Sequence, residues 1–143
     1  MSIDMPRSIP SEYADLVAGT VVPALATIND DGTIQLTPVW AGSDAETLLV
    51  NSAKGRRKDR NMRARPHATL MYLDPTNPYR YLQVVADVVE IIDESDPENG
   101  HLATETIDDF SERYRGIRPY QHRRAGELRV LYRLLPTKVQ ASG

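Results

Sequence analysis

The feature that most constrains this chain is a series of short apolar runs joined by tight-turn residues. Asn29, Asp30, Asp31 and Gly32 separate a strand-like run over residues 21–28 from a second over residues 33–41. An Asp-Gly pair supplies the positive φ that a tight hairpin needs. Ile34, Leu36 and Pro38 fall on one face of the return strand. Pro38 has no N–H for a ladder, which places it at an edge, a bulge or an opened ladder. Residues 42–46 read as the next turn and 47–52 as a third strand. Residues 68–73 form another strand, 74–78 a turn, and 79–93 a long β-rich stretch. Residues 127–135 alternate through Leu128, Val130, Tyr132 and Leu134, the period of a half-buried strand, and Val139 begins a last short one. Consecutive hairpin-linked strands with few helices predict an antiparallel barrel rather than a doubly wound parallel sheet.

Three helices complete the reading. Ser8 or Ser11 caps a short one over residues 10–18, ended by Gly19, with Tyr13, Leu16 and Val17 on one face. A second, over residues 57–65, stops before Pro66. The third opens at Asp96-Pro97 with acids in its first turn and turns Ala103, Ile107, Phe110 and Tyr114 to the core. At 143 residues and 41% hydrophobic the chain suits one domain. No linker divides it, so we read residues 1–10 as an N-terminal arm and 11–143 as the domain. Cysteine is absent, which excludes disulfides, thiolate nucleophiles and Cys-based metal sites. His67, His101 and His122 share no short spacing, which argues against a multi-histidine metal site. The apolar runs are too short to span a bilayer and no signal-peptide h-region leads the chain, so the expected location is the cytoplasm.

The net charge of -3 conceals an asymmetry. Lys54, Arg56, Arg57, Lys58, Arg60, Arg63 and Arg65 stand against Asp59 alone, so this segment carries +6 and the rest of the chain -9. A positive block in an acidic protein points to a localised anion site. A strand delivers Asn51 and Ser52 to a polar turn, and a helix starts there. Helix N-termini present unpaired N–H groups, Gly55 permits close backbone approach, and arginine offers phosphate a bidentate fork. The same charges also fit a solvated helix face, but the strand–Ser–Gly–basic–helix order favours a phosphate cradle. Neither a Walker motif nor a dinucleotide fingerprint is present. No aromatic residue lies between Lys54 and Arg65, which argues against a single-stranded nucleic-acid partner.

The stretch from Ser52 through Lys54, Gly55, Arg56, Arg57, Lys58 and Asn61 to Met62 resembles the phosphate-binding segment of the split-barrel flavin-binding family. That family includes pyridoxamine 5'-phosphate oxidases and the actinobacterial flavin/deazaflavin oxidoreductases. The segment from Ala24 to Ile28, followed by Asp31-Gly32 and Thr37-Pro38-Val39-Trp40, resembles its opening hairpin. Residues 79–84 and 126–130 are most similar to the deazaflavin-dependent branch.

The resemblance implies a mainly β split barrel with flanking helices, working as a homodimer with two cofactor sites at the interface. It implies that Arg56 and Lys58, with Arg57 between them, bind the cofactor phosphate, with Asn61 near the same loop. It places Thr37, Pro38 and Val39 along the ring system, and Asn51 and Ser52 on the strand beside it. Tyr79 and Tyr81 match aromatic positions near the deazaflavin that the partner chain can contribute, and are the candidates for a general acid. Lys54, Arg60 and Arg80 remain for further carboxylates, which favours coenzyme F420, a longer polyanion, over FMN. The implied reaction is hydride transfer to an electron-poor small molecule of the enone, quinone or tetrapyrrole class. The alternatives are an FMN-binding oxidase or flavin reductase of the same fold, or a non-catalytic F420- or tetrapyrrole-binding protein. The Trp- and Arg-containing C-terminal signature of the oxidases is missing, which argues against pyridoxal phosphate synthesis.

Overall fold

The computed structural model describes residues 4–143. A 3-10 turn at Ser11–Tyr13 leads into α1 (Ala14–Ala18), then β1 (Ala24–Ile28), β2 (Ile34–Pro38), β3 (Ala41–Ser43) and β4 (Leu48–Ala53). There follow α2 (Arg57–Ala64), β5 (His67–Leu73), β6 (Tyr81–Asp93), α3 (Gly100–Arg115) and β7 (Arg129–Ser142). The strands form one seven-stranded sheet in the order β2-β1-β5-β6-β7-β4-β3. Every pairing in it is antiparallel.

The two edges of this sheet, β2 and β3, are joined by Val39 and Trp40 alone. A sheet whose opposite edges lie two residues apart has to roll into a barrel. Its seam is bridged by the chain itself, since among the described residues no ladder pairs β2 with β3. This is the expected mainly β split barrel. Pro38 explains the seam: it lacks an N–H, and the next N–H, that of Val39, turns away to the Pro23 carbonyl at 3.0 Å.

Leu25, Leu48, Val50, Leu70, Leu82, Val84, Tyr132 and Leu134 fill the barrel, each at most 1% exposed. Burying an aliphatic side chain of this size stabilises by about 1.5–3 kcal/mol. α3 lies across β4, β6 and β7 and buries Ala103, Ile107 and Phe110. Gly100 sits so close to the β6–α3 connection that a Cβ there would lie 2.6 Å from the Glu94 carbonyl oxygen. The Tyr114 hydroxyl donates to the Val21 carbonyl (2.9 Å) and accepts the Ala41 N–H (3.3 Å), tying the approach to β1 and the start of β3 beside the seam.

Several expectations need correction. The return strand ends at Pro38, and Gly42 and Ser43 belong to β3 rather than to a turn. The turn is carried by Asp44, whose carboxylate accepts the N–H groups of Glu46 and Thr47. Ile34 and Leu36 do share a face of β2, but it is the outer one, 57% and 65% exposed. No serine side chain caps the first helix. Asp96 opens a turn, accepting the N–H groups of Glu98 and Asn99, and α3 starts only at Gly100 with no acid in its first turn. Val139 begins no separate strand. β7 runs on through Pro136 because the ladder to β6 is bulged there: Pro136 lies opposite Ala86 and Lys138 opposite Val85, leaving Thr137 unpaired. Of the expected arm, residues 1–3 lie outside the described residues. Residues 4–10 lie against the barrel, with Ile9 buried in the core and Met5 packed on it. Among the described residues no helix is long and apolar enough to cross a membrane.

Candidate functional site

β4 ends at Ala53, and the chain must reverse within three residues to start α2. The Arg56 N–H closes that turn on the Ala53 carbonyl (3.2 Å), and Gly55 adopts φ +91°, a conformation that penalises any other residue. Asp59, in the first turn of α2, fixes the shape. Its carboxylate, 2% exposed, accepts the Gly55 N–H (2.9 Å), Arg63 Nε (2.9 Å) and the Tyr132 hydroxyl. Burial and the neighbouring carboxylate push the Tyr132 phenol far above its ordinary range, so it stays a donor.

The basic segment is thereby sorted into separate roles. Arg63 pairs with Asp59 and Asp93, and Lys54 with Asp93 at 3.4 Å. Arg65 donates Nε to the Ile28 carbonyl and pairs with Asp30 at 2.7 Å, fastening the β1–β2 hairpin to α2. Asn61 does the same from inside, donating to Thr27 Oγ1 (3.1 Å) and Asn29 Oδ1 (2.8 Å). It is 2% exposed and does not line the cleft, so its position is explained by the hairpin. Arg57 faces a groove beside the hairpin with Asp31, Ile34 and Leu36. Arg56 and Lys58 alone of this segment turn into a cleft of about 370 Å³.

That cleft opens on the outside of the seam. Val22, Pro38, Val39 and Trp40 form one wall, and Ile107 and Phe110 of α3 another. Its polar end gathers Asn51, Ser52, Arg56, Lys58 and Arg129 at the N-terminus of α2. The first-turn N–H groups of a helix have no acceptor within it and carry partial positive charge. The Ser52 hydroxyl, in a residue 2% exposed, has no hydrogen-bond partner among the described residues. Burial holds the Lys58 ammonium below the ordinary lysine range, and the nearby Arg56 and Arg129 lower it further. Crowded cations beside free helix N–H groups have the chemistry to receive an anion. The apolar walls beside them suit a flat ring.

Thr37 does not line the cleft, although its buried hydroxyl also lacks a partner among the described residues. Tyr79, 81% exposed, and Tyr81, at the start of β6, lie outside the cleft of their own chain. Arg80 is not available for a ligand. It pairs with Asp15 (2.6 Å) and Asp74 (3.0 Å) and donates to the Glu12 carbonyl, clamping α1 to the β5–β6 turn. Val22, Tyr120 and Arg129 line the cleft without a signal in the sequence, and Ile107 and Phe110, buried as expected, also border it. Arg129 reaches the cleft only because β7 pairs with β4, setting Arg129 opposite Ala53. Nothing local in the sequence announces that pairing.

One solved structure, described as an F420 reductase, is 31% identical, covers 92% of this chain and 98% of its own, and superposes with a TM-score of 0.76. A conserved hypothetical protein from Mycobacterium tuberculosis is 23% identical over 98% of this chain and 86% of its own, with a TM-score of 0.72. HutZ, the haem storage protein of Vibrio cholerae, is 20% identical over 92% and 93%, with a TM-score of 0.63. These last two share the fold. A search of curated protein sequences gives no match. The pyridoxamine 5'-phosphate oxidase family model matches residues 9–142, nearly the whole chain. On that match, and on the split barrel that carries it, the chain belongs to the pyridoxamine 5'-phosphate oxidase family.

Proposed function

We propose that the cleft binds a flavin-type cofactor by its phosphate, coenzyme F420 in preference to FMN, and that the protein is an oxidoreductase. The observation that carries this reading is the polar end of the cleft, where Arg56, Lys58 and Arg129 meet the N-terminus of α2 beside an apolar slot. Ser52, Arg56 and Lys58 would hold the phosphate, and Pro38, Val39 and Trp40 would flank the ring. Such a cofactor, when bound, supplies hydride transfer to an electron-poor small molecule of the enone, quinone or tetrapyrrole class. The protein's part is to bind, orient and shield. Trp40 is fixed for that task, stacked on Tyr114 with ring centroids 5.6 Å apart and met edge-on by Tyr120 at 6.1 Å.

Two observations favour F420. The solved structure that is 31% identical is described as an F420 reductase. A second groove shares Arg56 with the cleft and carries Lys54 and Arg124 against one carboxylate, Glu127, a positive balance that suits a ligand with negative charge beyond one phosphate. The exposed Ile34 and Leu36 on β2 support a homodimer, in which Tyr79 and Tyr81 would act at the partner's site. Equilibrium titration of the purified protein with F420 and FMN in parallel tests the reading. F420 binding at least tenfold tighter is expected. FMN binding as tightly would replace the cofactor, and binding of neither would remove the reading altogether.

A further inference from the structure

We propose that Arg129 is a third anion-binding residue of the cleft, a guanidinium held rigidly by the protein so that its free edge meets the same anion as Arg56 and Lys58. The proposal rests on the reading of the cleft as an anion site. Arg129 is 4% exposed, yet it lines the cleft. Its Nε donates to Asn51 Oδ1 at 3.0 Å and its Nη1 to Glu127 Oε2 at 3.1 Å. Asn51 is itself fixed, donating Nδ2 to the Ala103 carbonyl of α3 at 2.9 Å. The guanidinium carbon lies 5.2 Å from the centre of the Tyr120 ring, which covers one face.

Guanidinium has five N–H donors, and these contacts use two of them. Among the described residues Nη2 has no acceptor. That edge opens to the cleft, and no second carboxylate lies within 4.0 Å of the guanidinium among the described residues. Arg129 shares a face of the β4–β7 ladder with Asn51 and Ala53, the face that carries the cleft. Arg56 and Lys58 stand on the turn and helix opposite. An anion bound there is held from two sides, and Arg129, unable to swing away, sets its position. A lysine would keep the charge but not the fork that joins Asn51, Glu127 and the ligand.

The test is calorimetric titration with inorganic pyrophosphate, at a temperature where every variant is folded by circular dichroism. R129K is expected to bind at least tenfold more weakly than the natural chain. So is the double variant R129Q/E127Q, which removes the buried ion pair whole and leaves no orphaned carboxylate. A merely structural Arg129 would lower the melting temperature and leave pyrophosphate affinity within threefold, and that result overturns the proposal. Should R129Q/E127Q fail to fold, R129K decides alone. R56A/K58A serves as the reference. If it loses affinity while the Arg129 variants do not, the proposal falls and the cleft reading stands. If the natural chain binds no pyrophosphate, both fall.

Discussion

Asp59 is the residue on which the shape of the cradle depends, and Asp59→Asn tests that dependence. The buried carboxylate accepts three donors, from Gly55, Arg63 and Tyr132. Asparagine fits the same space but replaces one acceptor oxygen with an NH2 group. Whichever way the amide is oriented, a donor meets a donor. Hydrogen bonds to a charged group contribute about 1.5–3 kcal/mol each, and an unsatisfied buried donor costs about 1–3 kcal/mol. Arg63 limits the damage, since it is 36% exposed and keeps Asp93 at 3.6 Å. One bond lost and one donor stranded give about 3–4 kcal/mol, a fall of roughly 10 °C in melting temperature for a domain of this size. Urea denaturation at pH 7, followed by far-ultraviolet circular dichroism, measures it. A loss below about 1 kcal/mol would show that Asp59 does not hold the turn, and the account of the cradle's geometry would fail with it.

Other perturbations follow from the same contacts. Burial raises the Glu94 carboxyl, but hydrogen bonds from Arg123, the Arg129 N–H and Thr104 outweigh it and hold the group down to about 2, below its ordinary 4.5. Its contribution is therefore complete above pH 4.5 and is lost as pH falls towards 2. The stability difference between the natural chain and Glu94→Gln, measured by denaturation, should shrink over that window; a constant difference would contradict the assignment. Burial, with Arg56 and Arg129 beside it, lowers the Lys58 ammonium, so pyrophosphate affinity should decline on the alkaline side before pH 10.5. Lys58→Arg should flatten that decline, and an identical pH profile in the variant would count against Lys58. Replacing Ile34 and Leu36 together with glutamate should leave the single chain folded by circular dichroism, since both are exposed within it. Light scattering should show the variant as a monomer and the natural chain as a dimer.

Much of the fold is legible in the sequence because its signals are local. The Asp31-Gly32 turn, the Pro66 stop after α2 and the spacing of Ala103, Ile107 and Phe110 each act within a few residues of where they stand. What was hidden depends on distant partners. The outward apolar face of β2 cannot be distinguished from an inward one by period alone, because both alternate. The continuity of β7 through Pro136 depends on a bulge against β6. The same holds for the site. Arg56 and Lys58 lie where the strand-to-helix order places them. Asn61 and Arg80, which also offer N–H donors, are committed to the hairpin and to α1 by residues more than thirty positions away. Arg129 enters the cleft by strand pairing alone.

The central claim is that the N-terminus of α2 grips the anionic end of a cofactor. Its most direct test is the F420 affinity of R56A/K58A beside that of the natural chain. Two charge-assisted contacts at about 1.5–3 kcal/mol each predict a loss of at least about a hundredfold, with the fold intact. Affinity within threefold of the natural chain would place the cofactor elsewhere and contradict the account.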